Sequence, residues 1–138
     1  MKVLFLDIDG VLSKCLYPNC HGNVQYKKIK ILKKIIDKTN CKIVLSSYWR
    51  TNEILYKNIS KKLSKYDLKI MDKTPIYGSN KRADEIYDWL KDHPSVKKYA
   101  IVDDIEQFYD FQKKYFVKTN PKKGLTKNDA KEIIKILK

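Results

Sequence analysis

Three short apolar runs constrain this chain more than any other feature, because each leads directly into a residue able to do chemistry. Val3-Leu4-Phe5-Leu6 runs into Asp7, Ile43-Val44-Leu45 into Ser46, and Tyr99-Ala100-Ile101-Val102 into Asp103. Unbroken aliphatic and β-branched runs of this length read as strands covered on both faces, the situation of a parallel sheet. Leu68-Lys69-Ile70-Met71 and Tyr115-Phe116-Val117 read as two further strands.

Helical stripes separate these runs. Ile29, Leu32, Ile35 and Ile36 form one, Leu55, Ile59 and Leu63 a second, and Ala83, Ile86, Tyr87 and Leu90 a third. Ala130, Ile133, Ile134 and Leu137 repeat the helical spacing at the end, opened by a Thr126…Asp129 capping box. Alternating strand and helix predicts a three-layer α/β domain with a mostly parallel five-stranded sheet. Ligands of such sheets bind beyond the carboxyl ends of the strands. Asp7, Ser46 and Asp103 are therefore expected at one edge.

A chain of 138 residues is the size of one domain, here taken as 1–138. Asp7 and Asp9 interrupt the opening apolar run too early for a signal peptide, and no stretch is long enough to span a bilayer. The expectation is a soluble cytoplasmic protein without a membrane partner. Three cysteines without an export signal predict reduced thiols. Cys15, Cys20 and His21 lie close together, but their spacing does not suit zinc, and they read as an ordinary polar loop.

Asp7, Asp9, Asp103 and Asp104 would gather four carboxylates in one crevice. Like charges at such density need a cation, and hard oxygen ligands select magnesium over zinc or copper. A magnesium site facing a serine and a guanidinium suits a phosphate.

These residues resemble a known pattern. Asp7-Ile8-Asp9-Gly10-Val11-Leu12 is similar to the first signature of the haloacid dehalogenase (HAD) superfamily. Ser46 fits its second motif, Arg82 its basic third motif at a helix start, and Asp103-Asp104 its acidic fourth. More narrowly, three segments resemble the HAD domain of multidomain RNA repair proteins. They are Leu45-Ser46-Ser47-Tyr48-Trp49-Arg50-Thr51, the helix carrying Arg82, Glu85-Ile86 and Trp89-Leu90, and Thr119-Asn120…Gly124-Leu125-Thr126.

The resemblance implies a Rossmann-like HAD fold and a magnesium-dependent phosphatase working through an aspartyl-phosphate. Asp7 is then the nucleophile and Asp9 the general acid and base, while Ser46 and Arg82 steady the transferring phosphoryl group. Asp7, the backbone carbonyl of Asp9, and Asp103 or Asp104 would hold magnesium. Gly10, Ser47, Arg50 and Lys81 are the candidate substrate contacts. Arg50 reads equally as a surface salt bridge near a helix start.

Tyr48 and Trp49 read as substrate contacts or as packing, Trp89 as helix-to-sheet packing, and His21 and His93 as surface residues. The stretch 13–26 leaves room for a flap, and 50–81 for one helix and one strand, so no substantial cap domain is expected. An open site and a net charge of +14 point to a phosphorylated polyanion, RNA or DNA ends, as substrate. A phosphoprotein or small-metabolite phosphatase is the alternative within this chemistry, and a non-catalytic RNA- or phosphate-binding module is the alternative outside it.

Overall fold

The structure, a computed structural model, describes residues 1–15 and 23–138. Five strands form one sheet in the order β3-β2-β1-β4-β5. They are β1 (Lys2–Leu6), β2 (Lys42–Leu45), β3 (Ile70–Lys73), β4 (Lys98–Asp103) and β5 (Phe116–Lys118). Every pairing is parallel, where the sequence predicted a mostly parallel sheet. The helices are α1 (Tyr26–Thr39), α2 (Glu53–Ser64), α3 (Arg82–Lys91), the short α4 (Asp110–Lys113) and α5 (Lys127–Leu137). A 3-10 turn at Tyr48–Thr51 precedes α2.

The sheet is buried on both faces, which explains the unbroken apolar runs. On one face, Leu4, Leu6, Ile43 and Leu45 pack with Ile29, Leu32 and Ile35 of α1, Ile59 and Leu63 of α2, and Ile133 and Leu137 of α5. On the other, Val3, Phe5, Val44 and Ile101 meet Ala83, Ile86 and Trp89 of α3, together with Phe108. The buried residue on α3 is therefore Trp89, edge-on to Phe5 at 5.4 Å, whereas Tyr87 is 48% exposed. His93 is also not a free surface residue: its ring stacks on Trp89 with centroids 3.7 Å apart.

Local signals hold the helix ends where the sequence placed them. The Thr126 hydroxyl accepts from Asp129 N at 3.1 Å while Asp129 Oδ2 accepts from Thr126 N at 2.9 Å, closing the capping box of α5. Asn52 Oδ1 caps α2 by accepting from Ile54 N and Leu55 N. Each such cap contributes about 1 kcal/mol.

Register then builds the working edge. Leu6 pairs with Leu45 on one side and Val102 on the other. The next residues outward are Asp7, Ser46 and Asp103, tied down by Asp7 N donating to Val102 O (3.1 Å) and Ser46 N to Leu6 O (3.0 Å). The chain reverses direction across the sheet between β3 and β4, so the crevice falls at the carboxyl ends of the central strands. No cap domain stands over it among the described residues. No helix among them is long and apolar enough to cross a membrane.

Cys15 takes part in a disulfide bond, against the expectation of reduced thiols. Cys41 is free and buried. Cys20 and His21 lie outside the described residues.

Candidate active site

Asp7 follows β1 at the centre of the edge and is 4% exposed. It stands with Asp103 and Asp104, and one carboxylate oxygen from each of the three lies within 4.8 Å of the others. Arg82, the first residue of α3, reaches into this group from above. Its Nη1 donates to Asp103 Oδ2 at 2.6 Å and lies 3.5 Å from Asp7 Oδ1. Asp103 Oδ1 accepts from Ile105 N at 3.0 Å, so both oxygens of that fully buried carboxylate are engaged.

One guanidinium among three carboxylates leaves two negative charges in excess. The acids respond by holding protons. Burial, then the nearby Asp103 charge, raises the Asp7 carboxyl well above the ordinary carboxylate range, although Arg82 opposes the shift. Asp104 is pushed up to about 6, mainly by burial and also by Asp103. The interaction between the two carboxyls raises Asp7 and lowers Asp104, so the proton is held on Asp7. Burial alone would pull Arg82 down, but Asp7 and Asp103 outweigh it and raise its pKa. A hard divalent cation would relieve this repulsion, and three converging carboxylates are the donor set it prefers.

Asp9 stands apart from the cluster. Its Oδ1 accepts from Trp49 Nε1 at 3.0 Å, and its carboxylate is not one of the three that converge. Trp49 is 5% exposed, making it a packed residue with a polar task rather than a substrate platform. Sequence reasoning missed this pairing, which spans 40 positions.

Gly10 has a φ of +81°, and a Cβ there would run into the Asp104 carboxyl group. Its carbonyl accepts from the Thr119 hydroxyl at 2.7 Å, binding the first motif to the loop after β5. Gly10 thus permits the close approach of Asp104.

Ser46 is fully buried, and its Oγ makes no hydrogen bond among the described residues. A buried hydroxyl without a partner is costly in a finished core and useful beside a ligand. Ser47 and Arg50, expected to touch substrate, are instead engaged within the protein. Ser47 Oγ accepts from Trp49 N as the cap of the 3-10 turn. The Arg50 guanidinium, 3% exposed, pairs with Glu85 Oε1 at 2.8 Å and also donates to the carbonyls of Ser46, Ser47, Thr74 and Pro75. Lys81 is exposed and flanks Arg82 at the mouth of the site.

Comparison with known families adds an independent finding. Residues 3–130 match the family described as the HAD domain in Swiss Army Knife RNA repair proteins. The chain belongs to this family. No curated protein and no solved structure gives a match. The match spans every strand and all of the site just described. As a HAD domain, the chain carries the framework of phosphatase-type hydrolases, with an acidic cluster able to hold a metal.

Proposed function

We propose that residues 1–138 form one phosphatase domain, a magnesium-dependent phosphomonoesterase acting through an aspartyl-phosphate on phosphate ends of nucleic acid. The observation that supports this reading is the convergence of Asp7, Asp103 and Asp104 with Arg82 at one sheet edge, where Ser46, its buried hydroxyl without a hydrogen-bond partner among the described residues, ends the neighbouring strand. In this reading Asp7 is the nucleophile, and the Ser46 hydroxyl and the Arg82 guanidinium are the donors to the phosphoryl group.

In the first half-reaction an Asp7 carboxylate oxygen bonds to phosphorus as the bond to the leaving oxygen breaks. Asp9, held by Trp49, gives its proton to that oxygen. In the second, Asp9 takes a proton from water as the water oxygen attacks phosphorus, and the Asp7–phosphorus bond breaks to release phosphate. Ser46 Oγ and Arg82 steady the equatorial oxygens throughout. Asp7, Asp104 and the backbone carbonyl of Asp9 would hold magnesium, with Asp103 mainly orienting Arg82 because both its oxygens are occupied. When bound, magnesium would neutralise charge on the phosphate oxygens and on the acidic cluster. Deprotonated Asp7 is the form that can attack, so relief of its raised pKa belongs to the same event.

The nucleic-acid part rests on three supports. The matched family is named for RNA repair proteins. The net charge is +14, which favours polyanions. The site has no cap among the described residues, leaving room for a macromolecule.

The test is phosphate release from oligonucleotides carrying a 3′- or 5′-phosphate, from phosphopeptides and from an aryl phosphate, with and without magnesium. Turnover should require magnesium, favour an oligonucleotide and vanish in Asp7→Asn. Preference for phosphopeptides would overturn the substrate class. Binding of nucleic acid without turnover in either protein would overturn the enzyme.

A further inference from the structure

A cavity of about 370 Å³ opens beside Arg82 and is lined in part by Tyr48, Ile76, Asn80, Lys81 and Gln107. Its volume is that of a site for one small molecule or one nucleoside. Arg82 belongs both to this cavity and to the carboxylate cluster, so whatever occupies the cavity stands next to the phosphoryl position. We propose that this cavity is the leaving-group subsite and takes the terminal nucleobase of a nucleic-acid substrate, stacked on Tyr48. The inference rests on the phosphatase reading above and deepens it.

The walls match a base in kind. Tyr48 is 53% exposed and Ile76 55% exposed, so two large apolar side chains face the cavity region without contributing to the core. A base has two apolar faces that such groups can cover. Asn80 and Gln107 carry side-chain amides, each both donor and acceptor, which can meet any base edge. Lys81 adds a cation where the strand's next phosphate would run.

The floor is also informative. Glu85 lines the cavity, but its Oε1 pairs with Arg50 and its Oε2 accepts from Tyr77 N at 2.8 Å. Among the described residues the wall therefore presents no unpaired carboxylate that would repel a polyanionic strand.

Tyr48 is also held ready. Its carbonyl accepts from the Thr51 hydroxyl at 2.7 Å, and the turn that carries it is capped by Ser47 and braced by Arg50. A braced backbone under the ring lowers the cost of ordering this segment when a base stacks there. Stacking of this kind is indifferent to base identity, and the subsite should accept all four bases.

The experiment compares oligonucleotides phosphorylated at either terminus whose terminal nucleotide either bears a base or is abasic. For the preferred terminus, kcat/KM should be about tenfold higher with the base present, the order expected of one stacked base. That preference should fall to near unity in Tyr48→Ala and survive in Tyr48→Phe. Equal turnover of base-bearing and abasic ends by the unaltered protein would overturn the subsite while leaving the phosphatase reading intact. Loss of the preference in Tyr48→Phe as well would also overturn the stacking role. Magnesium-dependent hydrolysis of an aryl phosphate with no turnover of any oligonucleotide would overturn the nucleic-acid reading, and the base subsite with it.

Discussion

Trp49 donates its indole N–H to Asp9 Oδ1 across 3.0 Å, joining the turn after β2 to the second carboxylate of the first motif. The bond fixes the direction of the group proposed to shuttle the proton. Trp49→Phe keeps the apolar ring and removes the donor. We predict that kcat falls about tenfold for leaving groups that need protonation, a part of the about 10²–10⁴ that acid–base catalysis contributes. An aryl phosphate, whose leaving oxygen departs without a proton, should lose far less. Equal losses on both substrates would show that Trp49 merely packs.

Beneath the site, Arg50 and Glu85 form an ion pair with side chains only 3% and 4% exposed. Burial pulls the Arg50 pKa down and Glu85 pulls it back, so each charge depends on the other. Removing one partner leaves an uncompensated buried charge, which costs about 3–5 kcal/mol. Arg50→Met should therefore lower urea-unfolding stability by about that amount, and Arg50→Met with Glu85→Leu by clearly less than the two single losses combined. Additive losses would mean that the backbone carbonyls held by Arg50, and not Glu85, set its value.

The sequence showed the sheet and its working edge because doubly buried parallel strands are written as continuous apolar runs, each visibly stopped by Asp7, Ser46 or Asp103. It did not show which way neighbouring side chains turn. Ser46, Ser47, Tyr48, Trp49 and Arg50 are adjacent in the chain, yet the 3-10 turn sends Tyr48 outward and buries Trp49 and Arg50. Proximity to a phosphate motif suggested that Arg50 contacts substrate, but its partner, Glu85, is fixed by tertiary packing. On α3, Trp89 lies at a core position that the Ala83, Ile86, Tyr87, Leu90 stripe omitted. Its reading as helix-to-sheet packing holds, since it meets Phe5 edge-on, while Tyr87 of that stripe turns outward.

Gly10 offers a sharper test of the metal site. Its φ of +81° disfavours any side chain, and a Cβ would collide with the Asp104 carboxyl. Gly10→Ala should displace Asp104 and lower magnesium-dependent turnover by about 100-fold or more. The left-handed conformation itself costs only about 1–2 kcal/mol, so the variant should remain folded. Magnesium titration followed by calorimetry would separate the two effects. Unchanged affinity together with full activity would remove Asp104 from the metal site.

The last prediction follows from the raised acids. Asp104 titrates near 3.8 when unfolded and at about 6 when folded, and burial raises Asp7 in the same direction. A group whose pKa is higher in the folded state binds protons more tightly there, so its stabilising effect is complete at low pH and is lost as pH rises. Without metal, the Asp104 contribution should thus decline from about pH 4 through about pH 6. The clean measure is the difference between the unaltered protein and Asp104→Asn. Magnesium competes with those protons. It should raise the melting temperature by several degrees at pH 7.5, as about 1–2 kcal/mol of binding would, and by little at pH 5. Asp104→Asn should lose the part of the pH slope that Asp104 supplies, together with the magnesium shift. A magnesium effect of equal size at both pH values would mean that the ion binds elsewhere than among Asp7, Asp103 and Asp104.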